Sequence, residues 1–234
     1  MFPLRDKIPS RSFPFVTIAI IIFNVLVYFY QLSLGQQIGD FIKNFGVIPK
    51  SFSSILDVPI SRWVMLIPNL FTSMFIHGGL LHLLGNLWYL WIFGDNVEDF
   101  FGHFPFFLFY LASGLAGAIT HIYFNLDSTI PTIGASGAIA GVMGAYIMLY
   151  PRSRITTIIF IIIYFTVAEI PALFFLGFWI FLQFLYASFS AASGAASGGV
   201  AWWAHVGGFA FGMILAMFFR IFKKQKSIYL SYIR

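Results

Sequence analysis

Apolar positions along this chain fall into long unbroken runs separated by short polar or glycine- and proline-bearing breaks. Runs of this kind predict buried or membrane-spanning helices, because ~20 apolar residues cross a hydrocarbon core about 30 Å thick. The first run extends over 13–34, and a second over 80–100 contains His82 and Asn86. A third covers 104–124, turned from the second by Gly102 and Pro105, and a fourth covers 135–150 and stops at Pro151. The fifth covers 171–189 and the sixth 201–222, which stops at Lys223-Lys224. The long connection 35–77 is strongly apolar over 60–76, but Pro49, Pro59 and Pro68 break it too often for a span. It predicts a segment lying in, or dipping into, the membrane interface. The stretch 155–168 is apolar and rich in β-branched residues, ends at Glu169 and is followed by Pro171. It reads as a surface or partly inserted connection. If it crossed, there would be seven spans.

Composition sharpens this picture. Of 234 residues 60% are hydrophobic and only 9% charged, where a soluble domain carries about 25% charged residues. The expected fold class is therefore an all-α polytopic membrane protein, a six-helix bundle with a long membrane-embedded first loop. A single domain over 1–234 is expected, with short tails over about 1–12 and 223–234. There are no cysteines, which excludes disulfides and thiolate chemistry. The net charge of +5 does not point to nucleic acid, because the basic residues sit at the ends of apolar runs. Six crossings would gather Arg5, Lys7, Arg11, Arg152, Arg154, Arg220, Lys223, Lys224, Lys226 and Arg234 on one side, leaving Lys43, Lys50 and Arg62 on the other. That asymmetry predicts both termini in the cytoplasm. The first run is too long for a signal-peptide core, and no small-x-small cleavage site follows it, so it is expected to be a retained helix.

Against this background a few polar residues stand out, since intramembrane polar groups are costly unless paired. Ser136 lies among small residues, with Gly137 and Gly141 forming a Gly-x-x-x-Gly face. His205 lies beside a second such face, Gly208 and Gly212. Two faces of this kind let helix backbones approach closely. A tight crossing of the fourth and sixth spans would place Ser136 and His205 at similar depth, as a nucleophile and its base. Taken singly, Ser136 also fits simple helix packing. His82 and Asn86 stand at i and i+4 on the second span and face the same way. They suit either oxyanion donors or an inter-helix polar clamp, and the Ser136 amide is a further candidate donor. His77 reads as a cap on the second span, and His103 and His121 as interface residues. No His-Glu-x-x-His pair points to a metal, and no acid completes a triad. Glu98 fits a helix-end contact with backbone donors. A small transporter would call for similar halves, which this sequence lacks.

These residues resemble the rhomboid intramembrane serine proteases of the six-helix bacterial type. The resemblance rests on His82-x-x-x-Asn86, Glu98-x-x-x-Gly102, Gly134-x-Ser136-Gly137 and Ala204-His205-x-x-Gly208-x-x-x-Gly212, in order, and covers nearly the whole chain. It implies Ser136 as nucleophile, His205 as base, and His82 and Asn86 as oxyanion donors. It implies transmembrane protein substrates cut in or near their single membrane segment, no metal or nucleotide, and a bacterial inner-membrane location. A catalytically inactive relative that escorts membrane proteins is the competing reading. Two departures stand out. Arg62-Trp63 is the reverse of a Trp-Arg pair that some members carry in the first loop. Ala140 stands where some members have an aromatic one turn after the nucleophile. Trp202, Trp203 and Tyr146 are then the candidates for orienting His205.

Overall fold

A computed structural model of the chain describes residues 1–53, 60–161, 163–193 and 200–222. Eight α-helices dominate it. Helix α1 spans Phe15–Ser33 and α2 Ile38–Phe45, while α3 spans Ile60–Thr72. Helices α4 and α5 span Leu80–Phe101 and His103–Phe124, with Gly102 at φ +84° making the turn between them. Helix α6 spans Ser136–Leu149, α7 Ala172–Ser193 and α8 Trp202–Phe222. Helices α1, α5, α7 and α8 are each long and apolar enough to cross a membrane. A fifth crossing arises if Leu66–Phe75 and Leu80–Phe101, bent by 83°, count as one span. The chain is an integral, multi-pass membrane protein.

Helix α6 is the exception that organises the rest. Its 14 residues rise only ~21 Å, short of a full hydrocarbon core. All but Ser136 and Met148 are buried, so α6 is the central helix and its neighbours wrap it. The sequence allows this because the helix is rich in glycine and alanine. A Cβ at Gly208 would land on the carbonyl of Gly137, and one at Gly212 on the carbonyl of Gly141. The two Gly-x-x-x-Gly faces therefore meet, and α6 and α8 touch backbone to backbone. Helix α5 closes the third side, where Gly117 leaves only 2.7 Å between a notional Cβ and the Ala204 carbonyl.

The end of the bundle opposite Ser136 is tied by carboxylates. Glu98 accepts from the amides of Val16 (2.9 Å) and Thr17 (2.8 Å) and from the Thr17 hydroxyl (2.7 Å). It thereby caps the α1 N-terminus, where free amides and the helix dipole favour a negative charge. This is the helix-end contact expected of Glu98. Asp99 next to it gathers the amides of Arg11 (2.6 Å) and Ser12 (3.1 Å) and the Ser12 hydroxyl.

The all-α expectation needs correction. A three-stranded antiparallel sheet in the order β1-β2-β3 joins Phe2–Asp6, Arg154–Ile161 and Tyr164–Pro171. The surface connection expected over 155–168 is thus a β-hairpin. Its run of Ile, Thr and Val suits a pleated surface better than a helix, and Pro171 ends it. The first residues are likewise not a free tail. Phe2 stacks on Trp88 at 5.6 Å, and the Trp88 indole donates to the Pro3 carbonyl (2.7 Å), so β1 lies along α4. Strands β2 and β3 rest against α7. The expected tail over 223–234 lies outside the described residues.

The first connection is mostly helical despite its prolines, and Pro68 sits inside α3. Gln31 of α1 anchors the end of this segment. Its amide donates to the His77 carbonyl (2.9 Å) and its oxygen accepts from the His77 amide (3.0 Å). His77 is almost fully buried and gives no side-chain cap to α4, whose N-cap residue is Gly79. His121 is also buried, beside Asn125 of its own helix end.

Candidate active site

Ser136 is the first residue of α6, reached by a loop that the sequence forces into an unusual shape. Gly134 has φ +122°, a conformation that side chains disfavour. A Cβ there would also meet the His82 ring nitrogen Nε2 at 2.8 Å and Asn86 Nδ2 at 3.7 Å. His82 and Asn86 thus press against the backbone two residues before Ser136, as their shared helix face predicts. The Gly134 amide donates to the Ser73 carbonyl (2.8 Å), and Val47 pairs with Thr132, so the first connection holds the loop from its other flank. Asn86 Nδ2 is buried and without a partner among the described residues. Ala135, the N-cap residue of α6, makes no side-chain cap, so the first-turn amides, including that of Ser136, have no acceptor within the helix.

His205 lies in the first turn of α8, on the helix whose glycines touch α6. Its Nε2 is 2.8 Å from the Ser136 Oγ. The depth match expected from the two glycine faces is therefore realised at hydrogen-bonding distance. His205 is 8% exposed, while Ser136 is half-buried. A cavity of about 30 Å³ opens beside Ser136, lined among others by Val47, Met74, Thr132, Gly137 and Ala201. That is room for a water or two. Part of its wall comes from Ser73 and Met74, so the 60–76 segment flanks the site. His82 and Asn86 do not line this cavity.

The sequence reading missed one partner. His205 Nδ1 is 2.7 Å from Gln183 Oε1 of α7, and Gln183 is buried. Trp179, one turn earlier on α7, lays its ring 5.7 Å from the imidazole. Of the residues expected to orient His205, only Trp202 is near, edge-on at 6.1 Å. Trp203 stacks on Phe124, and the Tyr146 hydroxyl donates to Asp6 at the far end of α6 (2.6 Å). A signal for Gln183 was present, since it is the only amide in the apolar run 172–189. A lone amide at such depth is costly unless bonded.

A serine hydroxyl, an imidazole at its oxygen and the unpartnered Asn86 amide behind the preceding loop thus come together inside an apolar helical bundle. Residues 65–222, about two-thirds of the chain, match the family described as Rhomboid domain, and the chain belongs to the rhomboid family. It is 32% identical over 146 residues to the Rhomboid protease GluP of Bacillus subtilis, covering 62% of this chain and 26% of that protein. It is 43% identical over 77 residues to RHOMBOID-like protein 6, mitochondrial, of Arabidopsis thaliana, covering 33% of this chain and 24% of that one. It is 34% identical over 92 residues to Rhomboid protein 1, mitochondrial, of Saccharomyces cerevisiae, covering 38% of this chain and 27% of that one. The matched parts span about a quarter of those relatives' lengths.

Proposed function

We propose that this chain is an intramembrane serine endopeptidase that cleaves single-span membrane proteins in or near their membrane segment. The observation that carries this reading is the 2.8 Å separation between Ser136 Oγ and His205 Nε2. Kinship with a protein named a rhomboid protease supports it. Ser136 Oγ attacks the scissile carbonyl carbon while its proton passes to His205 Nε2. The carbonyl π electrons move to oxygen, and the oxyanion is met by Asn86 Nδ2, by His82 and by the Ser136 amide. On collapse, the C–N bond breaks and the leaving amine takes the proton from His205. A water admitted to the cavity then attacks the ester, His205 accepting its proton and passing it to the departing Ser136 oxygen. A substrate helix must unwind locally to expose its carbonyl, so helix-weakening residues are expected near the cut.

The same reading makes α1, α4, α5, α6, α7 and α8 the six crossings of one domain, with both termini on the cytoplasmic side of a bacterial inner membrane. The basic residues at the end opposite Ser136 support that orientation. The test is turnover of a transmembrane substrate by the purified full chain in bilayer discs. Ser136→Ala and His205→Ala each abolish cleavage, and the double variant loses no more than either. Appreciable cleavage by Ser136→Ala would refute the assignment. Asn86→Ala slows kcat ~10- to 1,000-fold with less change in KM. Normal turnover with a lower unfolding temperature would assign Asn86 to a polar clamp instead.

A further inference from the structure

We propose that Gln183 is the positioning residue that fixes the tautomer of His205, and that α7 thereby controls whether the base is competent. The inference rests on the Ser136–His205 reading and extends it. An imidazole acts as base at Nε2 only when the remaining proton sits on Nδ1, and the partner of Nδ1 decides this. That partner is Gln183 Oε1, at 2.7 Å and buried with the ring. The amide oxygen accepts a hydrogen bond from Nδ1–H, leaving the Nε2 lone pair facing Ser136 Oγ at 2.8 Å. The Nδ1 proton stays in place throughout the cycle, so Gln183 takes up no proton and touches no substrate.

An amide is an apt choice at this depth. A carboxylate would hold Nδ1–H more strongly but would bury a permanent charge, which is costly in a membrane helix. Among the described residues, the carboxylates of Glu98, Asp99 and Asp6 are engaged at the other end of the bundle. The ionisable groups felt electrostatically at His205 are His82 of α4 and His121 of α5, both imidazoles. Among the described residues, therefore, no charged group takes the place of the amide. Trp179 and Gln183 lie four residues apart and present one face of α7 to His205. Any outward movement of α7 withdraws both the acceptor and the ring wall from the imidazole.

The experiment compares Gln183→Met and Gln183→Glu in the full chain, using a short peptide substrate that need not enter between helices. Gln183→Met keeps the volume and loses the acceptor, and its kcat falls about 10- to 100-fold with KM within roughly twofold. Gln183→Glu recovers most of that loss, and the acid limb of its kcat/KM profile moves to higher pH, because an anion beside Nδ1 favours the imidazolium. In a Ser136→Ala background, ¹⁵N spectra of His205 show the Nδ1–H form, and Gln183→Met shifts them toward the Nε2–H form. That spectrum reads the hydrogen bond even if the chain proves not to be a protease. Unchanged kcat in Gln183→Met, or an Nε2–H imidazole with Gln183 present, overturns the assignment. So does a loss that Gln183→Glu neither restores nor shifts in pH, which would mark Gln183 as packing alone.

Discussion

Along the seam of α6 and α8, Gly208 lies on the Gly137 carbonyl and Gly212 on that of Gly141. Across the bundle, α7 turns Phe174, Phe178, Phe181 and Phe184 outward, each about half exposed or more. The seam has no side chains to adjust, so its spacing is set by backbone contact and is stiff. The α7 flank meets the bundle through side chains, chiefly Trp179, Gln183, Phe175 and Leu176, and through the hairpin. Side-chain contacts can be exchanged for lipid contacts at little cost, because both are apolar. The two halves of the site are thus held differently. The Ser136–His205 distance belongs to the rigid seam, whereas the state of His205 depends on the adjustable flank.

The sharpest way to break this contrast is to wedge the seam. Gly208→Val and Gly212→Val, whose side chains would strike the Gly137 and Gly141 carbonyls, should abolish cleavage and lower stability by at least the 1–3 kcal/mol typical of overpacking, read by activity and thermal unfolding. Cleavage retained in both would show that the glycine faces do not set the dyad distance.

Restraining the flank comes next. The chain has no cysteine, so a Tyr186→Cys/Trp202→Cys pair, replacing rings stacked at 4.9 Å between α7 and α8, can be cross-linked uniquely. Closing that link should cut turnover of a transmembrane substrate by about tenfold or more while leaving a short peptide within roughly twofold, if α7 moves to admit substrate. Equal loss for both substrates would remove α7 as a lateral gate. No loss for either would move substrate access to the 60–76 segment.

A smaller effect tests the far end of the flank, where β1 joins the bundle. Burial, partly offset by the Tyr146 hydrogen bond, pushes the Asp6 carboxyl up to about 7, with Asp95 adding repulsion. The folded state then holds a proton that the unfolded chain has released between about pH 4 and 7. Stability should fall as pH rises through that window and level off above it, and Asp6→Asn should flatten the slope. The exposed Lys7–Glu169 pair contributes little by comparison. An unchanged slope in Asp6→Asn would show that Asp6 does not tie β1 to α6. The least effect is expected from Phe178→Ala, whose ring faces outward, with stability within about 0.5 kcal/mol of the parent. A large loss there would mean that α7 is packed as tightly as the seam.

Much was legible in one dimension. Run lengths located every long helix to within a few residues, because a bilayer-thick apolar stretch has little choice but to be helical. The Gly-x-x-x-Gly faces foretold the α6–α8 contact, since only residues without side chains permit it. Ser136 and His205 could be paired for the same reason: each sits beside its own glycine face, and matching the faces matches their depth. That His82 and Asn86 share one face, turned toward Gly134, followed from the i, i+4 rule on a single helix. Other features were not legible. The hairpin was passed over because an apolar β-branched run has no periodicity that separates strand from inserted helix. Its pairing with Phe2–Asp6 joins residues about 150 positions apart, which no local pattern encodes. Gln183 escaped for a related reason. An amide on α7 meets a ring on α8 only through the angle at which the helices pack, so the sequence pointed to the approach of Ser136 and His205 while only the tertiary structure decided what lies against the His205 ring.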